Sequence, residues 1–178
     1  MQPTSRLGRQ IAETAALLGR IDASFALIGG LALASHRVIR ATQDVDLLVA
    51  AEKADQIDAE LLKLGYRCIH RSSDAGNYVR GSERLDFLYA SRPIARRLLA
   101  DATEFVTSFG RLRVINLEGL IGFKLQGVVN DSRRTQDLED IRALLRANRD
   151  RLDFAEVRQY FALFGREQLL DELLQQLG

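Results

Sequence analysis

The segment Asp44-Val45-Asp46-Leu47-Leu48-Val49 constrains the fold of this chain more than any other stretch. Its apolar residues are typical of a β-strand, in which side chains at positions i and i+2 share one face. Asp44 and Asp46 should therefore project together, while Val45 and Leu47 point into a core. Two neighbouring carboxylates repel each other, and a divalent cation would remove that repulsion. Mg²⁺ prefers oxygen ligands and is commonly held by one or two carboxylates together with substrate phosphates.

Asp86 repeats this pattern, because it is an acidic residue inside the apolar run Arg84-Leu85-Asp86-Phe87-Leu88. If that run is a strand beside the first, three carboxylates converge. Three carboxylates can hold two metal ions about 3.5–4 Å apart, which is the arrangement used in phosphoryl transfer. The sequence therefore predicts Asp44, Asp46 and Asp86 as metal ligands and catalytic residues. The alternative is a set of exposed loop carboxylates.

Apolar periodicity divides the 178 residues into two parts. Residues 1–116 are predicted to form a small α/β (α+β) core with an N-terminal helix and a mixed sheet. Its predicted strands are 25–28, 44–49, 66–70, 77–80, 85–89 and 112–115, and its helices are 5–19, 31–38, 53–64 and 94–100. Residues 117–178 are predicted to form a helical subdomain with helices at 117–129, 135–147, 154–163 and 166–176. A cleft between the two parts would be a natural ligand site.

Glycines mark three predicted boundaries. Gly65 stands where a glycine commonly ends a helix, and Gly81 with Ser82 would turn a hairpin. Gly29-Gly30 lies where an apolar strand meets a helix. Glycine lets the backbone approach a ligand closely, and a helix N-terminus offers free N–H groups to phosphate. Gly29 and Gly30 are therefore predicted to contact a phosphate-bearing ligand, which the resemblance described next implies is a nucleotide, with a simple turn as the alternative.

Taken together, these residues resemble the DNA polymerase β-like nucleotidyltransferase superfamily. The shared pattern is an apolar strand, Gly29-Gly30, thirteen residues, Asp44-Val45-Asp46, and a third carboxylate, Asp86, on a later strand. The resemblance implies transfer of a nucleoside monophosphate from a nucleoside triphosphate to an acceptor hydroxyl, with Mg²⁺ or Mn²⁺ bound by the three aspartates. The acceptor could be the 3′ end of a tRNA or another RNA, a protein, or a small molecule.

A narrower resemblance covers residues 24–145. The segment Arg40-Ala41-Thr42-Gln43-Asp44-Val45-Asp46 is similar to the Arg-x-Thr-x-Asp-x-Asp form of AbiEii-type bacterial nucleotidyltransferases, a group that includes toxins of toxin–antitoxin systems. Lys124 followed by the segment 133–141 resembles a lysine-then-acidic helical motif of the same group. This resemblance implies that Lys124 meets the triphosphate and that a cognate antitoxin could be a partner. A non-catalytic nucleotide- or RNA-binding component of such a system is the alternative function.

Arg37, Arg40 and Thr42 precede the carboxylate strand. Arginine binds phosphate bidentately, so both arginines are predicted nucleotide contacts, with a pairing to an acidic residue as the equal alternative. The hydroxyl of Thr42 is expected to order the turn next to the nucleotide.

Lys124 lies on or beside the apolar stripe of its predicted helix, so its ammonium needs a partner. That partner is either the triphosphate or a carboxylate. Asp137 is predicted either to bind nucleotide or to lie in a first turn capped by Thr135. Asp140, on the same helical face, is expected to pair with an arginine or with Lys124.

Composition sets broad limits. A net charge of +1 gives no electrostatic reason to expect nucleic acid, and aromatic residues, at 7% with no tryptophan, offer no base-stacking stripe. The single cysteine, Cys68, excludes an internal disulfide and fits a cytoplasmic location. With no apolar stretch of about 18 residues, no membrane span is expected. We expect a monomer.

Overall fold

The computed structural model describes residues 5–177 of the chain. They divide into two compact units. The first comprises the chain up to Leu31 and the stretch Ala41–Ile115, and the second comprises Ala32–Arg40 and the chain from Asn116 onward. Among the described residues, no helix is long and apolar enough to cross a membrane.

The first unit is an α/β structure built on one mixed sheet. Residues 5–177 contribute seven strands in the order β3-β4-β5-β2-β1-β7-β6. Strand β2 is parallel to β5, and β1 is parallel to β7, whereas the remaining neighbours are antiparallel. The strands are β1 (Phe25–Leu27), β2 (Asp44–Ala50), β3 (Arg67–Arg71), β4 (Ala75–Arg80), β5 (Glu83–Ala90), β6 (Thr103–Thr107) and β7 (Gly110–Val114). The predicted fold class is confirmed.

Strand β2 lies in the middle of the sheet, and its apolar residues are buried on both faces. Val45, Leu47, Leu48 and Val49 are all buried, whereas the two aspartates are half-buried. Strand β5 pairs with β2 along its whole length, and β1 pairs with Leu47, Leu48 and Val49 on the other edge. The sheet therefore holds the carboxylates on a rigid element.

Eight helices lie within residues 5–177. They are α1 (Arg6–Arg20), α2 (Gly29–Ser35), α3 (Ala54–Lys63), α4 (Pro93–Asp101), α5 (Leu117–Asn130), α6 (Thr135–Ala147), α7 (Phe154–Leu163) and α8 (Glu167–Gln176). A short 3₁₀ helix, Ala51–Lys53, precedes α3. In the second unit α5 packs against α6 and α7, and α7 packs against α8. The predicted C-terminal helices agree with α5–α8 to within one residue at each end.

Local signals behave as expected at two glycines. Gly65, with φ +86°, follows the end of α3, and the hairpin β4–β5 turns at Gly81-Ser82. Thr135 differs from expectation, because α6 begins at Thr135 itself and the capping position is Arg134, whose side chain makes no capping bond. Asp137 does lie in the first turn, as predicted.

Strand β6 was not predicted from the sequence. Its residues are mostly exposed, and it forms an edge of the sheet with β7 as its only neighbour in the strand order. An edge strand that is exposed on both faces has no regular apolar alternation. The periodicity that reveals a half-buried strand is therefore missing from Thr103–Thr107.

Candidate active site

Strands β2 and β5 bring the predicted carboxylates together. Their parallel register places Asp46 directly beside Asp86 and places Asp44 beside Arg84. Paired residues on neighbouring strands project to the same face, and strands lie about 4.8 Å apart. Asp44 shares that face because it is two residues before Asp46. All three aspartates are half-buried, so their carboxylates are not enclosed in the core.

The turn after β1 closes tightly against Asp46. The backbone N–H of Ile28 donates to the carbonyl of Asp46 at 3.1 Å, and Gly29 follows with φ +64°. A β-carbon on Gly29 would collide with Oδ2 of Asp46 and lie 2.5 Å from its carboxyl carbon. Glycine is therefore required here both by backbone conformation and by space. Gly30, the next residue of α2, is buried.

Asn77 is a site residue that sequence reasoning missed. It lies on β4 directly opposite Asp86, and its Nδ2 donates to Oδ1 of Asp86 at 2.5 Å. The predicted hairpin contained the signal for this contact. A two-residue turn at Gly81-Ser82 pairs Arg80 with Glu83, and following that register along the strands reaches Asn77 and Asp86.

The donor set at this face suits a hard cation. Carboxylate oxygens from Asp44, Asp46 and Asp86 are ligands that Mg²⁺ and Mn²⁺ accept. As the side chains stand, no three His, Cys, Asp or Glu residues within residues 5–177 are gathered into a ready-made ligand group. The fit therefore rests on the chemistry of the donors and on their shared face, and the side chains would have to turn toward an ion.

Lys124 belongs to a buried ion cluster in the second unit. Its Nζ lies 2.9 Å from Oδ1 of Asp137 and 2.7 Å from Oδ2 of Asp140. Arg40 binds Asp140 bidentately, with both N–O distances at 3.0 Å, and Nε of Arg134 lies 2.7 Å from Oδ2 of Asp137. We call these five residues the Lys124 cluster. The expected pairing of Asp140 is confirmed with both of its proposed partners, an arginine and Lys124.

The Lys124 cluster is tightly packed. Only 7% of the side chains of Lys124 and Asp137 and 3% of that of Asp140 are exposed. Burial alone would raise the pKa of Asp140, but the hydrogen bonds and charges of Lys124 and Arg40, with a further bond from Gln136, outweigh it, and the pKa lies below its ordinary value. Both aspartates therefore serve as counter-ions inside this unit.

Arg37 and Thr42 have simpler surroundings. Arg37, with φ +64°, pairs with Asp150 at 2.8 Å, and both side chains are more than half exposed. Thr42 is half-buried two residues before β2, and within the described residues its hydroxyl makes no hydrogen bond. The turn-ordering bond expected of that hydroxyl is therefore not present.

The fold of this chain resembles those of known proteins, although its sequence resembles none closely. Neither the protein-family models nor the curated proteins contain a match to the chain. Solved structures do match. The solution structure of the antibiotic-resistance factor ANT(2″)-Ia is 18% identical, with a TM-score of 0.67, and the match covers 95% of this chain and 97% of that one. The chain has a nucleotidyltransferase fold.

Two further structures support that fold. The crystal structure of ANT(2″)-Ia in complex with adenylyl-2″-tobramycin is 19% identical, with a TM-score of 0.67 over 90% of this chain and 97% of that one. The lincosamide antibiotic adenylyltransferase LnuA with lincomycin bound is 13% identical, with a TM-score of 0.57 over 76% of this chain and 94% of that one. At these identities the likeness shows the fold, and it agrees with the superfamily resemblance of the sequence.

Proposed function

We propose that this chain is a nucleotidyltransferase that moves a nucleoside monophosphate from a nucleoside triphosphate to an acceptor hydroxyl. The observation that carries the proposal is the register of β2 and β5, which sets Asp46 beside Asp86 with Asp44 on the same face. This arrangement occurs in a chain whose fold is that of nucleotidyltransferases.

Asp44, Asp46 and Asp86 are the residues that would hold Mg²⁺, or Mn²⁺ in its place. When bound, the ion would supply positive charge to offset that of the triphosphate oxygens. The three carboxylates are half-buried on one face of the sheet. Their mutual repulsion would be relieved by a bound cation. Gly29 leaves room for the carboxylate of Asp46, because a β-carbon at position 29 would overlap it.

The chain's own residues account for the remaining chemistry of the proposed reaction. The acceptor hydroxyl attacks the α-phosphorus, a new O–P bond forms, and the bond from the α-phosphorus to the bridging oxygen breaks to release pyrophosphate. Asp86 accepts the hydroxyl proton, and Asn77 holds Asp86 by its 2.5 Å hydrogen bond. Gly29 and Gly30 offer backbone without side chains to the phosphates. Most of the rate gain would come from positioning and electrostatics.

The other predicted nucleotide contacts, Arg37, Arg40, Thr42, Lys124 and Asp137, stay predictions. Both carboxylates of the Lys124 cluster already neutralise Lys124, and Arg40 is bidentate to one of them. A phosphate contact from either cation would have to compete with these ion pairs. We therefore propose that the Lys124 cluster stabilises the second unit. Asp44, Asp46 and Asp86 would carry out the chemistry.

We further propose ATP as the donor and a small-molecule hydroxyl as the acceptor. The support is the extent of the match: ANT(2″)-Ia, solved with an adenylylated tobramycin, matches this chain over nearly all of both. An RNA or a protein acceptor becomes an outcome of the test, and the antitoxin partner of the AbiEii-type resemblance stays a prediction.

The test is label transfer from each of the four α-³²P nucleoside triphosphates with Mg²⁺. Tobramycin, lincomycin, total RNA and a protein extract are offered separately as acceptors. Asp46→Asn should lower transfer about a hundredfold or more, because it removes one charge from the reacting site. Asp101→Asn is the matched control, since it removes an exposed carboxylate of the same unit.

Label on a small molecule from ATP would support the full proposal, and label on RNA or protein would move the acceptor to that class. Label that persists in the Asp46→Asn protein would remove Asp46 from the site. Mg²⁺-dependent triphosphate binding without transfer to any fraction would favour the non-catalytic binding function.

A further inference from the structure

A cavity of about 480 Å³ lies in the first unit, away from the three aspartates. Its lining includes Ala50 and Ala90, which are the last residues of β2 and β5. Asp46 and Asp86 are each four residues earlier on those strands. At about 3.3 Å per residue, Ala50 and Ala90 therefore lie about 13 Å along their strands from these aspartates. The cavity is therefore separate from the proposed active site, and a ligand could bind in it whether or not the chain transfers nucleotides.

The cavity exists because small side chains meet at this end of the sheet. Ser24, Ala50, Ala90 and Ala100 line it together with one larger apolar residue, Leu99. Larger side chains at these positions would narrow the cavity, which opens to solvent at Ser24 and Ala100. Its volume falls within the range of about 300–1,000 Å³ that is common for small-molecule sites.

Three charged side chains complete the lining: Arg96, Arg113 and Glu52. Nη2 of Arg113 donates to the carbonyls of Leu99 and Ala102 at 2.8 and 3.0 Å, which fixes its guanidinium at the C-terminal end of α4. These bonds hold one charge in place without neutralising it.

Arg96 is tied down less firmly. Its Nε donates to the carbonyl of Ala90 at 3.3 Å, and a guanidinium has further N–H donors for a ligand. Within the described chain, neither Arg96 nor Arg113 forms an ion pair with a carboxylate, and Glu52 pairs with no cation. The cavity therefore presents two positive charges and one negative charge that no ion pair within the described chain neutralises.

We propose that this cavity binds a small molecule that carries an oxyanion, either carboxylate or phosphate, together with a cationic or hydrogen-bond-donating group. Arg96 and Arg113 receive the oxyanion, because guanidinium groups match the geometry of both oxyanions. Glu52 receives the donor group. The apolar and small residues between them accommodate a short carbon chain.

The test is ¹H–¹⁵N NMR titration of the full chain with four probes. Phosphoethanolamine and β-alanine carry both groups, whereas inorganic phosphate and acetate carry only the oxyanion. We expect saturable shifts of the amides of Ala50, Ala90 and Ala100 with at least one two-group probe below about 10 mM. Comparing phosphoethanolamine with β-alanine distinguishes a phosphate from a carboxylate ligand. Shifts confined to residues around Asp46 and Asp86 would overturn the proposal, as would no saturable shift with any probe.

Three variants sharpen the test. Arg96→Gln should weaken binding about tenfold or more, because it removes a charge-assisted hydrogen bond. Arg97→Gln is the matched control, since Arg97 is an exposed arginine of α4 outside the lining. Glu52→Gln should weaken binding of the two-group probe more than binding of its one-group counterpart. Equal affinity of the Arg96→Gln and Arg97→Gln proteins would overturn the assignment.

Discussion

Gly29 and Asp46 are in contact in a way that permits no side chain at position 29. The glycine has φ +64°, and a β-carbon there would overlap the carboxylate of Asp46. Two requirements therefore coincide at one residue. The backbone must be left-handed to turn after β1, and the space beside Asp46 must stay open.

Gly29→Ala should lower both stability and nucleotidyl transfer. A left-handed alanine costs about 1–2 kcal/mol, and the added methyl group displaces the carboxylate of Asp46. Gly81→Ala separates the two effects, because Gly81 also has positive φ, +59°, but has open space around its β-position. Urea unfolding and label transfer of both variants provide the measurement. We expect Gly81→Ala to lose stability alone, and a Gly29→Ala protein with full activity would contradict the placement of Asp46 in the site.

Asn77→Ala should lower kcat more than it raises KM. The amide of Asn77 holds Asp86 through its hydrogen bond, so its loss frees the proposed base to rotate without removing any substrate contact. Asn77→Asp should be more damaging, because it places a second carboxylate directly opposite Asp86. Steady-state kinetics, with thermal unfolding to confirm folding, measures both. An increase in KM alone would instead make Asn77 a binding residue.

The elements of this fold could be predicted from the sequence where apolar residues recur at the period of a helix or run along a strand. The apolar spacing of β2, α3 and α6 matches the faces that the structure buries, so their bounds were predicted closely. Strand β6 was not predicted because an exposed edge strand carries no such alternation. Its pairing with β7 is fixed by a hairpin and by backbone hydrogen bonds, which leave little trace in residue type.

Some site residues could be placed from the sequence alone, and others could not. Asp44 and Asp46 could be assigned to one face because their spacing matches the period of a strand, and Asp86 stood out as a charge in an apolar run. The partnership of Arg40 with Asp140 could not be located so directly. These residues are 100 positions apart in sequence, and their bidentate contact depends on how the second unit folds. A sequence shows that a buried cation needs a partner, but the choice among many carboxylates is made by tertiary structure.

Lys124→Met should destabilise the second unit by about 3–5 kcal/mol, because it leaves two buried carboxylates without their shared counter-ion. Lys63→Met is the matched control. Lys63 also contacts a carboxylate, Glu60 at 2.5 Å, but 70% of its side chain is exposed, so its loss should cost far less stability than the loss of Lys124. Urea denaturation of both variants checks the difference. Equal losses would show that the Lys124 cluster contributes no more than a surface pair.

Asp140→Asn should flatten the acid dependence of stability. The pKa of Asp140 in the folded chain lies below its ordinary value of 3.8, because Lys124 and Arg40 outweigh the effect of burial. A carboxyl with a lowered folded pKa stabilises the fold above the unfolded pKa and loses that contribution as pH falls through the folded value. The wild type should therefore be more stable than Asp140→Asn at neutral pH, and the gap should narrow as pH drops below about 4. Urea unfolding across this range gives the gap directly. Asp101→Asn is the control for removing an exposed carboxylate. If the gap in stability stays constant or widens on acidification, Asp140 is not the charged partner of Lys124 and Arg40.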